Sequence, residues 1–205
     1  RTAREITGIS DLQKIGNDPA FTLNGRYWLS ADIDASATAL WNNGEGFAPI
    51  GTVVTPFTGT FDGQGHVIRN LYINRSVDAE KPGAGAGLFG TVSGATIRNI
   101  GLVGGSVWGF GSGENCSVGG LIGYGEQTTV EQCFAYINVL SSMTAGGLVG
   151  RLDYGIMSRC YALGAPEHEQ TGGDVIAFGF CGGLVGELNG SAIGECFSVA
   201  GAAQW

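Results

Sequence analysis

The sequence predicts an all-β chain wound as a parallel β-solenoid, and three observations carry that prediction. A Gly-Leu-x-Gly unit recurs four times, beginning at Gly87, Gly120, Gly147 and Gly183. Ten residues after each of those glycines stands an apolar residue (Ile97, Val130, Met157, Ile193), and thirteen after stands another (Ile100, Cys133, Cys160, Cys196). The units themselves lie 33, 27 and 36 residues apart, so the insertions follow the fixed half of each repeat. Packed strands hold register while loops at one corner change length, which is how a stacked solenoid behaves. The apolar runs are too short for a helical period, and parallel strands let like residues stack and leave sheet edges only at the two ends.

Composition narrows the classes. The 38 glycines follow no Gly-x-y period, which excludes collagen and points to tight turns. With 43% hydrophobic and 14% charged residues, the chain can bury a core. A net charge of -8 argues against nucleic acid as a partner, since binding it needs a basic face. No apolar run is long enough to insert in a membrane. The opening Arg1-Thr2-Ala3-Arg4 is not followed by the apolar core of a signal peptide, so the chain reads as a piece of a longer one.

The expected organisation is one solenoid over residues 1–205: a cap and first strands over 1–56, a rung-like unit and loop over 57–86, and four repeats over 87–205. Residues 9 to 16 read as a short capping helix, with Ser10 and Gln13 as a capping box, Leu12 and Ile15 on one face, and Gly16 as the stop. Tyr27-Trp28-Leu29 and Asp32-Ile33-Asp34 alternate as strands, and Phe47-Ala48-Pro49-Ile50 reads as another. Asp62-Gly63-Gln64-Gly65 is a turn, and Ile68-Arg69-Asn70-Leu71 matches Ile97-Arg98-Asn99-Ile100, so the stack begins before the first Gly-Leu-x-Gly. Each full repeat is expected to hold three strands: Gly-Leu-x-Gly, the segment around offset thirteen, and a third such as Ile137-Asn138-Val139-Leu140. Val130 and Cys133, both inward yet three apart, require a corner between them, where Asn99 and Gln132 would sit.

The units followed by Cys-Phe-Ala, Cys-Tyr-Ala and Cys-Phe-Ser resemble the GLUG-motif repeats of large bacterial surface and secreted proteins. The stretch Thr58 to Ile68 is similar to the segment that often precedes them, and the resemblance covers roughly residues 5 to 205. Such repeats occur in filamentous-haemagglutinin-like adhesins and in non-catalytic regions of immunoglobulin A-cleaving peptidases. The resemblance implies a right-handed parallel β-helix at the cell surface or outside the cell, part of a much longer chain and without catalytic residues. Ile100, where the other repeats carry cysteine, suggests a position that wants an apolar residue rather than a thiol.

Five cysteines without zinc-ligand spacing read as a buried stack at the repeat position plus Cys116 and Cys181, which lie just before Gly-Gly-Leu runs and could be exposed. Aligned by offset, Arg98, Glu131, Ser158, Gly194 form one column and Asn99, Gln132, Arg159, Glu195 the next. Neither puts two carboxylates on adjacent rungs, as glycosidic chemistry requires. Arg98 with Glu131, and Arg159 with Glu195, are expected as exposed ion pairs. Asp62, His66, Asp32 and Asp34 read as turn residues before acid-base groups, and Glu167-His168-Glu169 as a solvated loop before a metal site. No cofactor or metal is expected. Three Asn-x-Ser sequons, at Asn74, Asn115 and Asn189, are consistent with a chain rich in small polar residues.

The candidate binding residues are Phe134, Tyr161 and Phe197, which share offset fourteen. If the cysteines face inward, alternation points these rings outward as a ladder suited to a host glycan, a matrix protein or a neighbouring domain; with reversed parity they fill the core. The expected function is therefore a non-enzymatic segment of a secreted adhesin or surface fibre, a spacer or an interaction module spanning ~30 Å over about six rungs. The alternatives are a polysaccharide-cleaving enzyme with acids on loops 41–46, 78–86 and 165–180, or a glycan-binding module.

Overall fold

The computed structural model describes residues 2–77, 84–111, 116–164 and 173–204. The chain is a parallel β-solenoid of four sheets. In chain order within a rung, sheet 1 takes Gly85–Ala86, Ser117–Gly119, Thr144–Gly146 and Cys181–Gly182. Sheet 2 takes Phe89–Ser93, Ile122–Glu126, Val149–Asp153 and Val185–Asn189. Sheet 3 has seven strands, Arg4–Ile6, Arg26–Leu29, Thr60–Asp62, Thr96–Arg98, Thr129–Glu131, Ile156–Ser158 and Ala192–Gly194. Sheet 4 holds Ile33–Asp34, Val67–Ser76, Gly101–Phe110 and Phe134–Ser141, then Tyr161–Ala162 and Val175–Ala177 end to end along Phe134–Ser141, then Phe197–Ser198 and Ala202–Gln204 beyond them. Every strand pair is parallel, and the offset columns are in register: Val130 lies opposite Ile97 on one side and Met157 on the other.

Four sheets, rather than three strands per repeat, follow from where the corners fall. Gly-Leu-x-Gly is itself a corner, with sheet 1 ending at Gly119 and sheet 2 starting at Ile122. A Cβ on Gly120 would stand 2.7 Å from the Gly147 carbonyl of the next rung, so close backbone approach excludes any side chain there. The leucine between the glycines (Leu88, Leu121, Leu148) is fully buried. Ile137 to Leu140 is not a separate third strand but the continuation of the strand that begins at Phe134.

The corner required between Val130 and Cys133 is present, and the whole column adopts it. Gln64, Asn99, Gln132, Arg159 and Glu195 all have φ between 53° and 56°. Asn tolerates that conformation well, and Arg159 is held in it by its amide bond to the Gly194 carbonyl of the next rung and its pair with Glu131 of the one before. Cys133, Cys160 and Cys196 follow directly, and each thiol donates to the carbonyl two residues earlier, at 3.2, 3.3 and 3.2 Å. Inward burial and this repeated corner bond both favour cysteine, so the thiol contributes more than apolar volume. Cys116 is fully buried rather than exposed, and Cys181 is half-buried.

The N-terminal end is closed by the helix Ile9–Lys14, which buries Ile9 and Leu12, with Ile15 beyond it also buried. The expected Ser10–Gln13 capping box does not form. Asp11 instead receives the Thr7 amide and hydroxyl, and Gln13 clamps the Ala48 backbone by donating to its carbonyl (3.1 Å) and accepting from its amide (2.9 Å). Phe47 to Ile50 is therefore not a strand; it makes only a single bridge, Ile50 to Phe89, while Pro49 lacks the donor a ladder needs. The Ile68–Leu71 match is also displaced: Phe61 and Asp62 lie opposite Ile97 and Arg98, whereas Ile68 lies opposite Leu102. Asn70 and Asn99 both adopt positive φ, and that shared turn requirement produced the likeness.

Candidate functional site

Strict alternation along sheet 4 turns Ala135 and Ala162 into the core and leaves their neighbours Phe134 and Tyr161 half-buried on the outside. Phe134, Tyr161 and Phe197 are register partners on three successive rungs. Their rings are parallel within 5° and their centroids stand 5.0 and 5.1 Å apart. Coplanar rings so close would overlap, so the three are stacked face upon face along the solenoid axis. Below them Phe134 lies over Gly101, where any Cβ would strike its ring. The ring faces thus serve one another, and mostly edges meet solvent; Phe197, at the end of the stack, is 55% exposed. A groove of about 390 Å³ at the foot of the ladder is lined by Gln64, Asn99, Gln132 and Phe134.

The carboxylates are engaged in turns and rung links. Asp62 accepts from the Gln64 amide, from Asn99 and from Arg98. Burial alone would raise its pKa, but the Asn99 bond, the Gln64 amide and the Arg98 charge outweigh it and hold the carboxyl below its ordinary value. Asp32 accepts from the Val67 amide and faces His66 at 3.1 Å, and the two contacts in that order lower its pKa. Asp34 is held low by the Ser36 amide first and the Ser36 hydroxyl second. The ion pairs differ from those expected: Arg98 pairs with Asp62 at 2.8 Å, and Arg159 pairs with Glu131. Both guanidinium groups reach back to the preceding rung rather than forward to the next, Arg98 to its register partner Asp62 and Arg159 diagonally to Glu131. Glu167, His168 and Glu169, Asn115, and residues 78–83 and 165–172 of the loops lie outside the described residues.

One cluster was missed in the sequence. Glu126 and Asp153 are register partners on adjacent rungs of sheet 2, with Tyr124 and Arg151 paired two residues earlier. Asp153 receives the Tyr124 hydroxyl at 2.9 Å and two guanidinium nitrogens of Arg151 at 2.9 and 3.0 Å, and Arg151 also meets Glu187 at 3.3 Å. Burial, then the bond to Asp153, pushes the Tyr124 hydroxyl far above its ordinary value, so it stays a neutral donor. The Gly-Leu-x-Gly alignment could have found the pair, since Glu126 and Asp153 share offset six. With its charge neutralised by Arg151, Asp153 is a link between rungs rather than a free base.

A cavity of about 440 Å³ lies between the 48–54 segment and the strands ending near Val77 and beginning at Gly85. Its described lining is mostly apolar and includes no carboxylate, thiol or imidazole. Arg75 borders it, bound to Glu45 and to the Gly46 carbonyl, with its Nε buried and unpaired. Among the described residues no group of three His, Cys, Asp or Glu side chains is arranged to hold a metal ion. Among the described residues no helix is long and apolar enough to cross a membrane.

Four parallel sheets coiled around one stacked core define the class as a parallel β-helix. A crystal structure from Bacteroides ovatus, described provisionally as an immunoglobulin A1 protease, superposes with a TM-score of 0.52 over 97% of this chain and 68% of that one, at 19% identity. At that identity the likeness is one of fold. In sequence, 113 residues, 54% of the chain, are 42% identical to part of halomucin from Haloquadratum walsbyi, and they amount to 1% of that protein's length. No family model matches the chain.

Proposed function

We propose that this chain is a rigid, non-enzymatic segment of a secreted or surface-displayed protein, a spacer or interaction module of the GLUG-repeat kind. The observation that carries the reading is the uninterrupted seven-stranded parallel ladder of sheet 3, continuous with a single core from Ile6 to Met157. Such a stack resists bending and projects whatever lies beyond it. Similarity to a short stretch of a very long protein, halomucin, supports a placement at the cell surface or outside the cell. The carboxylates of the rungs support it as well, because Asp62, Glu131 and Asp153 are each paired with an arginine.

A panel of polysaccharides incubated with the protein and assayed for new chain ends tests the absence of turnover. No product is expected. Product that disappears in Glu126→Gln or Asp153→Asn would overturn the reading in favour of an enzyme. A glycan and matrix-protein array, probed with the parent and with a Phe134→Ser, Tyr161→Ser, Phe197→Ser variant, separates the two halves of the proposal. Binding lost in the still-folded variant marks an interaction module; a folded parent that binds nothing marks a spacer.

A further inference from the structure

We propose that Cys160 and Cys196 form an oxidative modification site, where a low-molecular-weight disulfide such as oxidised glutathione converts the two thiols into a covalent link between adjacent rungs. The inference goes beyond the spacer reading and does not depend on it. Cys160 and Cys196 are in register, since Ser158 lies opposite Gly194 and Tyr161 opposite Phe197 on either side of them. The bond from each thiol to the carbonyl two residues earlier gives Cys133, Cys160 and Cys196 one orientation along the stack. Cys196 Sγ already reaches the rung before it, accepting from the Cys160 amide at 3.3 Å. Side chains in register stand ~4.8 Å apart, inside the Cα span of a disulfide and just beyond its ~4.5 Å Cβ span, so the bond closes with an approach of roughly 0.3 Å.

The column offers two neighbouring pairs, and packing and access choose between them. Cys133 and Cys160 are fully buried, on rungs held from both sides. Cys196 is half-buried, and Leu188, Ile193 and Phe197 on its rung are exposed, so this rung can lean toward Cys160. Acidity favours the same pair. Burial pushes the Cys133 thiol well above its ordinary value and keeps it protonated. The Cys133 thiol first, and the Cys196 thiol with it, outweigh burial at Cys160 and favour its thiolate. Oxidised glutathione meets the accessible Cys196 first: the Cys196 sulfur bonds to one glutathione sulfur, and the other glutathione leaves as a thiolate that takes up the Cys196 proton. The Cys160 thiolate then attacks Cys196 Sγ, the protein disulfide forms, and the second glutathione leaves with the Cys160 proton. Two protein thiols are oxidised and one external disulfide is reduced to two thiols. The ring so closed spans the longest interval between units, that from Gly147 to Gly183, and so restricts the unfolded chain where it is freest.

Mass spectrometry of the folded chain, incubated with oxidised glutathione and then alkylated, tests this. Cleavage after arginine and glutamate puts each of the five cysteines on its own peptide. A Cys160–Cys196 crosslink, lighter by two hydrogens and reversed by dithiothreitol, is expected as the main product. It should be lost in Cys196→Ser and retained in Cys181→Ser, with circular dichroism establishing that both variants fold. In the oxidised chain, amide exchange over Val185–Asn189 and Ala192–Gly194 should slow about tenfold or more, while Arg4–Ile6 at the far end stays unchanged. A folded chain that keeps all its thiols, or that stops at glutathione bound to Cys196, overturns the proposal. So does a main product that links Cys133 or Cys181. A Cys160–Cys196 crosslink with faster exchange in the same strands would mark it as a bond made only when the rung unfolds, and the site would be overturned on that result too.

Discussion

Ile97, Val130, Met157 and Ile193 occupy one register column, yet the first three are completely shielded and Ile193 is 40% exposed. Leu152 and Leu188 repeat the contrast one sheet away, buried on one rung and 46% exposed on the next. At the opposite end of the stack the equivalent cross-section is sealed, because the helix Ile9–Lys14 lays Leu12 over it and Ile15 follows into the core. The difference teaches that burial in this fold belongs to the pair of rungs and not to the residue. A side chain of the same type in the same register is core or surface according to whether another layer stands above it.

Substitution at the two ends of that column is the sharpest way to break the comparison. Met157→Ala should cost about 2–5 kcal/mol in urea unfolding followed by circular dichroism, whereas Ile193→Ala should cost about 1 kcal/mol or less. Equal costs would mean that the last rung is packed as tightly as those within. At the sealed end, Leu12→Ala should cost about 3 kcal/mol and speed amide exchange in Arg26–Leu29 and Arg4–Ile6 before the rest of sheet 3. Uniform exchange along the sheet would show that the helix is not a lid on the stack.

The rung links give smaller effects. Asp62→Ala, which removes the acceptor for Asn99, Gln64 and Arg98, should cost about 2 kcal/mol. Folding lowers the Asp62 pKa below its ordinary 3.8, so the stabilisation is complete above that value and is lost as pH falls through the lower, folded one. Acidification below pH 3.8 should therefore destabilise the parent more than Asp62→Asn, and parallel losses would remove Asp62 as the cause. Smallest of all, Arg159→Ala breaks an exposed pair with Glu131 and should cost at most ~1 kcal/mol, less at high salt.

Much of the fold was legible because stacking forces a register. The columns at offsets ten and thirteen marked the inward residues of sheet 3 and its corner, and the column at fourteen marked the ladder of Phe134, Tyr161 and Phe197. Local likeness is not rung alignment. Ile68–Leu71 resembled Ile97–Ile100 because Asn70 and Asn99 both need a left-handed turn, not because they lie on matched rungs. Ser10 and Gln13 had capping-box spacing, yet Gln13 was committed to Ala48. The Tyr124, Arg151, Asp153 cluster lies at offsets four and six, between the motif and the aligned columns at ten to fourteen.

The sequence by itself determined which residues face inward and how the rungs match, since a fixed spacing between stacked strands leaves one register that buries every apolar column. Only the tertiary structure decided which acid each arginine takes and how Tyr124, Arg151 and Asp153 meet across two rungs. Those outcomes depend on side-chain reach and on the presence of a neighbouring layer, and both are properties of assembled rungs that the order of residues does not contain.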